Sequence, residues 1–155
     1  VDAGKQIVTQ FRCFACHQST GLDAGGIVLS GNSNSISDAA PIYPPNLTPD
    51  PATGLGCWTD QQIERAFLDG IDDKDASLCV MPHFRARFAD AGVDIDASSA
   101  ELVAFLRSLN PVSHQVPQTM CPPPAEAGAP TDAGDAQADA GEAAAPADAG
   151  DASAD

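Results

Sequence analysis

The stretch Cys13-Phe14-Ala15-Cys16-His17 places two thiols three positions apart, with an imidazole directly after the second thiol. Each thiol can form a thioether with a vinyl group of haem, and the histidine is then placed to bind the iron. The competing interpretation is a redox or zinc Cys-x-x-Cys, which needs a thioredoxin-like strand pattern or a second pair of ligands. The sequence contains no such strand run before the motif, no second C-x-x-C and no H-x-x-x-H. It therefore predicts one covalently attached haem.

The composition changes sharply near Cys121. Residues 122–155 consist almost entirely of Ala, Asp, Gly, Glu and Pro, and they contain no Leu, Ile, Val or aromatic side chain to bury. Such a segment buries too little apolar surface to offset the conformational entropy that it would lose on ordering. We therefore expect one domain at 1–121, followed by a disordered acidic tail at 122–155.

The folded part is itself expected to be acidic. Eight of the 22 acidic residues fall in the tail, which has no Lys or Arg, so residues 1–121 carry 14 acidic side chains against 7 basic ones. Nucleic acids and anionic membrane surfaces need a basic footprint, so this charge disfavours both as partners. A monomer that meets proteins with a basic docking face is the compatible expectation.

The cysteines and the first residue bear on the compartment. Beyond the haem motif, Cys57, Cys79 and Cys121 remain, and an oxidising location would allow one disulfide with one thiol left over. The sequence starts at Val1 without a charged and then apolar leader, which is typical of a processed secretory protein. No apolar run approaches the ~18 residues that span a bilayer. We expect a periplasmic or extracellular location.

The apolar periodicity predicts helices, and no strand pair is strong enough to require a sheet. A Gly-, Ser- and Pro-rich stretch from Thr20 to Cys57 is predicted to be a long loop around the haem. Thr59 and Gln62 form a capping box, and Gly70 is placed to stop the helix that follows. The expected class is all-α, with helices at 4–11, 60–69, 84–89 and 97–109, the last of them capped by Asp96.

The sixth iron ligand is predicted to be Met81. Most methionines fill cores, but Met81 follows an apolar approach and precedes Pro82, which stiffens the loop beside the thioether. A thioether opposite an imidazole gives low-spin iron with a raised potential. His83, His114 and Met120 are the competing ligands.

Trp58, the only tryptophan, stands immediately before the capping box. A buried indole usually finds an acceptor for its N–H, and a haem propionate is the candidate here. Ordinary core packing is an equally good interpretation of this residue.

The order of these features resembles a class I c-type cytochrome of the small bacterial mono-haem type. The resemblance covers roughly Gly4 to Leu109 and rests on the haem motif, on the stretches 43–50 (YPPNLTPD) and 53–59 (TGLGCWT), and on Met81-Pro82. It implies a cytochrome c fold of three to five helices around one covalent haem c. The thioether residues would be Cys13 and Cys16, and the axial ligands His17 and Met81. It also implies that Trp58 contacts the haem, and that the first and last helices pack together, with Phe105 and Leu102 facing Gly4.

The family geometry also implies a pairing for the remaining cysteines. It brings the residue before the tryptophan close to the residue two positions before the distal methionine, so a Cys57–Cys79 disulfide is expected. The alternative is Cys79 with Cys121, and three free thiols remain a third interpretation.

A haem with both axial positions filled can exchange electrons without binding a substrate. One-electron transfer between redox proteins is therefore the expected function, and an electron carrier is expected rather than an enzyme. The first alternative is a haem enzyme or sensor with a labile Met81, which reduces peroxide or binds a gas. The second is the cytochrome subunit of a larger dehydrogenase or oxidase.

Overall fold

The computed structural model describes residues 1–18 and 26–121 of the chain. These ranges form helices and irregular segments, with one isolated antiparallel bridge between Ile71 and Ser77 and no named strand, which confirms the all-α class. The tail expected at 122–155 and part of the predicted long loop lie outside the described residues. The helices are α1 (Asp2–Gln10), α2 (Phe14–His17), α3 (Asp60–Asp69), α4 (Phe84–Asp90) and α5 (Ile95–Ser108).

The first and last long helices pack directly on each other. Gly4 of α1 is buried against α5, where an added Cβ would overlap the carbonyl oxygen of Glu101 and lie 2.5 Å from Cβ of Phe105. The neighbouring turns contribute Ile7 and Val8, which are buried in the same core. The predicted close approach at Gly4 is thus confirmed, and the reason is the absence of a side chain at this position.

Replacing Gly4 by alanine is expected to lower the free energy of unfolding by about 1–3 kcal/mol, because the new methyl group forces α1 away from the Glu101 backbone. The gain in helix propensity of about 1 kcal/mol offsets only part of this overpacking. Urea unfolding followed by circular dichroism measures the difference. Gln6→Ala, on the exposed side of α1, is the control, and an equal stability of both variants would contradict the packing described here.

The middle of the fold follows local sequence signals. The predicted capping box of α3 is present, since Thr59 Oγ1 accepts from the Gln62 N–H while the Gln62 side chain accepts from the Thr59 N–H. Gly70 ends α3 with φ of 69°, and a side chain at this position would overlap the ring of His83. The turn therefore fixes how the chain leaves α3 on its way to Met81.

The start of α5 differs from the prediction. The cap is Asp94, whose carboxylate accepts from the Ala97 N–H at 2.8 Å, and the helix begins at Ile95. Asp96 lies within the first turn, where its charge favours the positive end of the helix. The helix therefore starts two residues earlier than predicted, soon after Gly92, which ends the preceding turn with φ of 65°.

Beyond α5 the chain runs back over the long loop as an extended segment, residues 110–121, here called the C-terminal strap. Its backbone is held by loop side chains: Val112 O accepts from Asn46 Nδ2 at 2.7 Å, and the His114 N–H donates to Thr53 Oγ1 at 3.0 Å. Further along, the Met120 N–H donates to Pro41 O at 3.1 Å. The strap thereby joins both ends of the loop to the helical core.

Helices in the described residues are too short or too polar to cross a bilayer.

Candidate functional site

The haem motif is carried by a turn and a short helix. The first helix stops at Gln10, because Arg12 adopts a left-handed conformation with φ of 56°, and the chain resumes as α2 at Phe14. The left-handed Arg12 thus separates the first helix, predicted at 4–11, from the turn that carries the motif. The His17 N–H donates to Cys13 O at 3.1 Å, so one helical turn presents the two thiols and the imidazole together.

The imidazole of His17 is buried and held in one orientation. Its Nδ1 lies 2.8 Å from Pro45 O, and a carbonyl can only accept, so Nδ1 carries the proton and Nε2 keeps a lone pair. Nε2 makes no hydrogen bond to any residue that the structure describes. Burial lowers the pKa of His17, which keeps the ring neutral. A neutral imidazole with one fixed tautomer and a free nitrogen is what a metal ligand requires.

The thiols of the motif have the wrong electrostatics for a redox Cys-x-x-Cys. Burial raises the pKa of Cys13 to about 11, so its thiol stays protonated at neutral pH. Catalytic disulfide exchange needs a thiolate with a lowered pKa. Cys13 and Cys16 are both free and partly buried. This donor set, two unpaired thiols beside a tautomer-fixed imidazole, fits a covalently attached haem.

The carbonyl that orients His17 is itself anchored by a buried amide. Asn46, which follows Pro45, is 1% exposed. Its Oδ1 accepts from the N–H and hydroxyl of Thr48 at 3.0 and 2.8 Å, and its Nδ2 donates to Thr53 Oγ1 and Val112 O at 3.1 and 2.7 Å. Asn46 thus fastens the Pro45 loop to the C-terminal strap.

Replacing Asn46 by alanine is expected to cost about 3 kcal/mol of unfolding free energy, because it leaves the buried Thr48 N–H without an acceptor and removes the shortest hydrogen bond to Val112 O. Thermal unfolding compared with wild type gives the value. The matched control is Asn34→Ala, an exposed asparagine of the same loop. A loss below about 1 kcal/mol would mean that water readily replaces these bonds.

Trp58 and Met81 lie half-buried against the same hydrophobic core as Cys13. The indole N–H of Trp58 and the sulfur of Met81 make no hydrogen bond to the described residues, whereas the Trp58 backbone is bonded on both sides. The structure therefore leaves the functional atoms of both side chains without a protein partner.

The competing iron ligands are engaged or displaced. Both ring nitrogens of His114 are hydrogen bonded, Nδ1 to Ser30 O at 2.7 Å and Nε2 to Ser33 Oγ at 2.8 Å. Met120 is 66% exposed on the strap, and the exposed His83 lies with its ring against Gly70. Met81 differs from these candidates in two ways: its side chain is half-buried, and its sulfur makes no hydrogen bond to a described residue.

The disulfide expected between Cys57 and Cys79 is wrong. Cys79 pairs with Cys121, the alternative considered from the sequence, with a Cα–Cα distance of 5.6 Å. Cys57 lies exposed in the turn before Trp58, and its thiol donates to Pro51 O at 3.3 Å. The physical reason is the C-terminal strap, which carries Cys121 over the loop and delivers it beside the Met81 segment. The disulfide therefore ties the end of the domain to the segment of the predicted sixth ligand.

Sequence reasoning missed three contributors to the site: the carbonyl of Pro45, the buried amide of Asn46, and Arg107. The first acts through its backbone, and a single asparagine in a loop has no distinctive sequence signal. Arg107 stands in the last turn of α5 and reaches Trp58 O, Leu55 O and Asp60. An arginine in the last turn of a helix is expected simply because its charge favours the negative end of the helix dipole. The sequence therefore gives no separate sign of its contacts with the Trp58 segment.

No known family model matches the chain. The chain is 34% identical over 114 residues to a diheme cytochrome c-type protein of Cereibacter sphaeroides, an alignment that covers 70% of this chain and 36% of that protein. It is 30% identical over 117 residues to the cytochrome c subunit of the quinone alcohol dehydrogenase of Gluconobacter oxydans, covering 74% of this chain and 23% of that subunit. It is also 30% identical over 120 residues to a subunit of the nicotinate dehydrogenase of Pseudomonas putida, covering 76% of this chain and 9% of that relative.

The chain thus spans between 9% and 36% of the lengths of these relatives. Two of the three are cytochrome c proteins by name, and the third is a dehydrogenase subunit. This likeness to cytochrome c-type proteins agrees with the donor set around His17, which fits a covalently attached haem.

Proposed function

We propose that the chain is a class I mono-haem cytochrome c that carries single electrons between redox proteins. The observation that carries the proposal is the geometry of the haem motif. Two free thiols share one helical turn with an imidazole whose Nδ1 is held 2.8 Å from Pro45 O, which leaves Nε2 to bind iron. The sequence contains one such motif, so one haem c is proposed.

Each residue of the site has a defined task in this proposal. Cys13 and Cys16 would attach the haem, His17 and Met81 would ligate its iron, and Trp58 would offer its indole N–H to a propionate. The haem, when bound, supplies a one-electron couple whose potential depends on its ligands. With His17 and Met81 both engaged, the iron would have no open position for a substrate.

The partners are proposed to be redox proteins with a basic docking face, met outside the cytoplasm in the periplasm or the extracellular space. The acidic balance of residues 1–121 supports electrostatic steering toward such a face. The Cys79–Cys121 disulfide supports an oxidising compartment.

A second candidate function has support from the comparisons. The relatives from Gluconobacter oxydans and Pseudomonas putida are named as dehydrogenase subunits, so this chain is alternatively the cytochrome component of a dehydrogenase assembly. The chemistry at the iron is the same in both cases. Only the electron donor differs, since a dehydrogenase would pass electrons to this domain from its own active site.

Carbon monoxide tests whether the iron is closed. The reduced protein is mixed with carbon monoxide, and the oxidised protein with hydrogen peroxide, while small one-electron reagents measure electron exchange. A carrier exchanges electrons rapidly with the small reagents, leaves peroxide unreacted and binds carbon monoxide only as slowly as Met81 dissociates. Immediate carbon monoxide binding with rapid peroxide turnover would instead indicate a haem enzyme or sensor with an open sixth position.

A further inference from the structure

Arg107 ties the end of α5 to the segment that carries Trp58. Its Nη1 donates to Leu55 O at 2.9 Å, its Nη2 donates to Trp58 O, and its Nε and Nη2 lie 3.1 and 3.0 Å from Asp60 Oδ1. The side chain is 30% exposed, so these bonds are partly shielded from water. One guanidinium thus binds the backbone at Leu55 and Trp58 and the side-chain carboxylate of Asp60.

Two kinds of contact hold Trp58. Its side chain packs half-buried against the hydrophobic core, and its N–H closes a turn onto Leu55 O at 3.1 Å before Thr59 caps α3. The turn and the cap are local, within the segment 55–62. Among the polar contacts described for the Trp58 backbone, the bond from Arg107 is the one that comes from outside this segment. Arg107 therefore fixes the Trp58 backbone to the end of α5.

We propose that Arg107 is a positioning residue, which holds Trp58 so that its indole N–H donates to a haem propionate. This inference rests on the proposed function, because it assumes the haem. The fork of Arg107 reaches acceptors on three residues at fixed angles, and the compact ammonium of a lysine cannot reproduce that pattern. The charge itself is not the essential property, since Asp60 already pairs with it.

The test compares Arg107→Lys, Trp58→Phe and the double variant with wild type, in the haem-loaded full chain. The lysine keeps the positive charge, so a change in the reduction potential cannot be caused by loss of that charge. Two quantities are measured: the reduction potential and the rate at which the indole N–H exchanges with solvent deuterium, which nuclear magnetic resonance assigns to Trp58 because the chain has one tryptophan. Arg85→Lys, which alters the exposed pair with Asp69 on α3, is the matched control.

Arg107→Lys is expected to lower the potential, because a propionate that loses a donor favours the ferric state. Its effect should vanish in the Trp58→Phe background. Exchange of the indole N–H should become faster by about twofold, as the loosened segment opens. Arg85→Lys should leave both quantities unchanged.

An equal potential shift with and without Trp58, or an unchanged exchange rate, would overturn the positioning role. If Arg107→Lys fails to fold, Asp60→Ala removes only the outermost acceptor and should likewise make the exchange of the indole N–H faster. The absorption of the denatured wild-type chain measures its covalent haem separately. Absence of that haem would refute the proposed function, whereas an unchanged exchange rate in haem-loaded Arg107→Lys would refute the role of Arg107.

Discussion

Replacing Met81 by alanine is expected to abolish the sulfur-to-iron charge-transfer band of the oxidised protein and to lower its reduction potential by some tenths of a volt, within the range of roughly 0.8 V that axial ligands control. The thioether stabilises ferrous iron, and alanine leaves the position to water or to no ligand at all. The iron should therefore become high-spin and bind carbon monoxide quickly. Absorption spectra and a potentiometric titration measure the two effects.

Met120→Ala is the control for this substitution. Its side chain is 66% exposed on the strap, so the variant should keep the wild-type spectrum and potential. If Met120→Ala loses the band while Met81→Ala retains it, the sulfur ligand comes from the strap, and the proposed ligand set is wrong.

Removing the Cys79–Cys121 disulfide by a double serine substitution is expected to lower the unfolding free energy by about 4 kcal/mol, from the loop entropy of a closure over 42 residues. The loss should exceed those of Gly4→Ala and Asn46→Ala, because the bond fixes the strap to the Met81 segment. Chemical denaturation of the double variant gives the value. The sulfur-to-iron band should also weaken at lower denaturant concentration than in wild type, since the strap end is released first.

Cys57→Ser provides the comparison for the disulfide. Cys57 is exposed and unpaired, so its substitution should leave the stability within about 0.5 kcal/mol of wild type. Mass spectrometry of a non-reduced digest identifies the bond directly. A Cys57–Cys79 peptide in that digest would contradict the structure and restore the pairing that the family resemblance implied.

Local signals in the sequence predicted the helices well. The Thr59 and Gln62 side chains cap α3 as expected, and Gly70 ends the helix in a left-handed conformation. Gly4 was expected at the contact between the first and last helices, and it lies there because a side chain would overlap Glu101. Each of these features depends on neighbouring residues or on one missing side chain, which a sequence displays directly.

Features that depend on distant backbone could not be predicted. The disulfide was assigned to Cys57 from the family geometry, and the resemblance ends near Leu109, before it reaches Cys121. The path of residues 110–121 depends on hydrogen bonds from Asn46, Thr48 and Thr53, about sixty residues earlier in the chain. The orientation of His17 likewise depends on the carbonyl of Pro45, an atom that every residue possesses. The residue types of the site could therefore be predicted from the sequence. The backbone contacts that hold those residues in place could not.

The axial ligands can be identified by near-infrared magnetic circular dichroism of the oxidised wild-type protein, because the charge-transfer bands of ferric haem distinguish pairs of ligands. With a neutral His17 held by Pro45 and a sulfur supplied by Met81, we expect a low-spin histidine–methionine iron, at one covalent haem per chain. A high-spin spectrum would contradict the closed site and the carrier function. A bis-histidine spectrum would show that His83 or His114 occupies the position assigned to Met81.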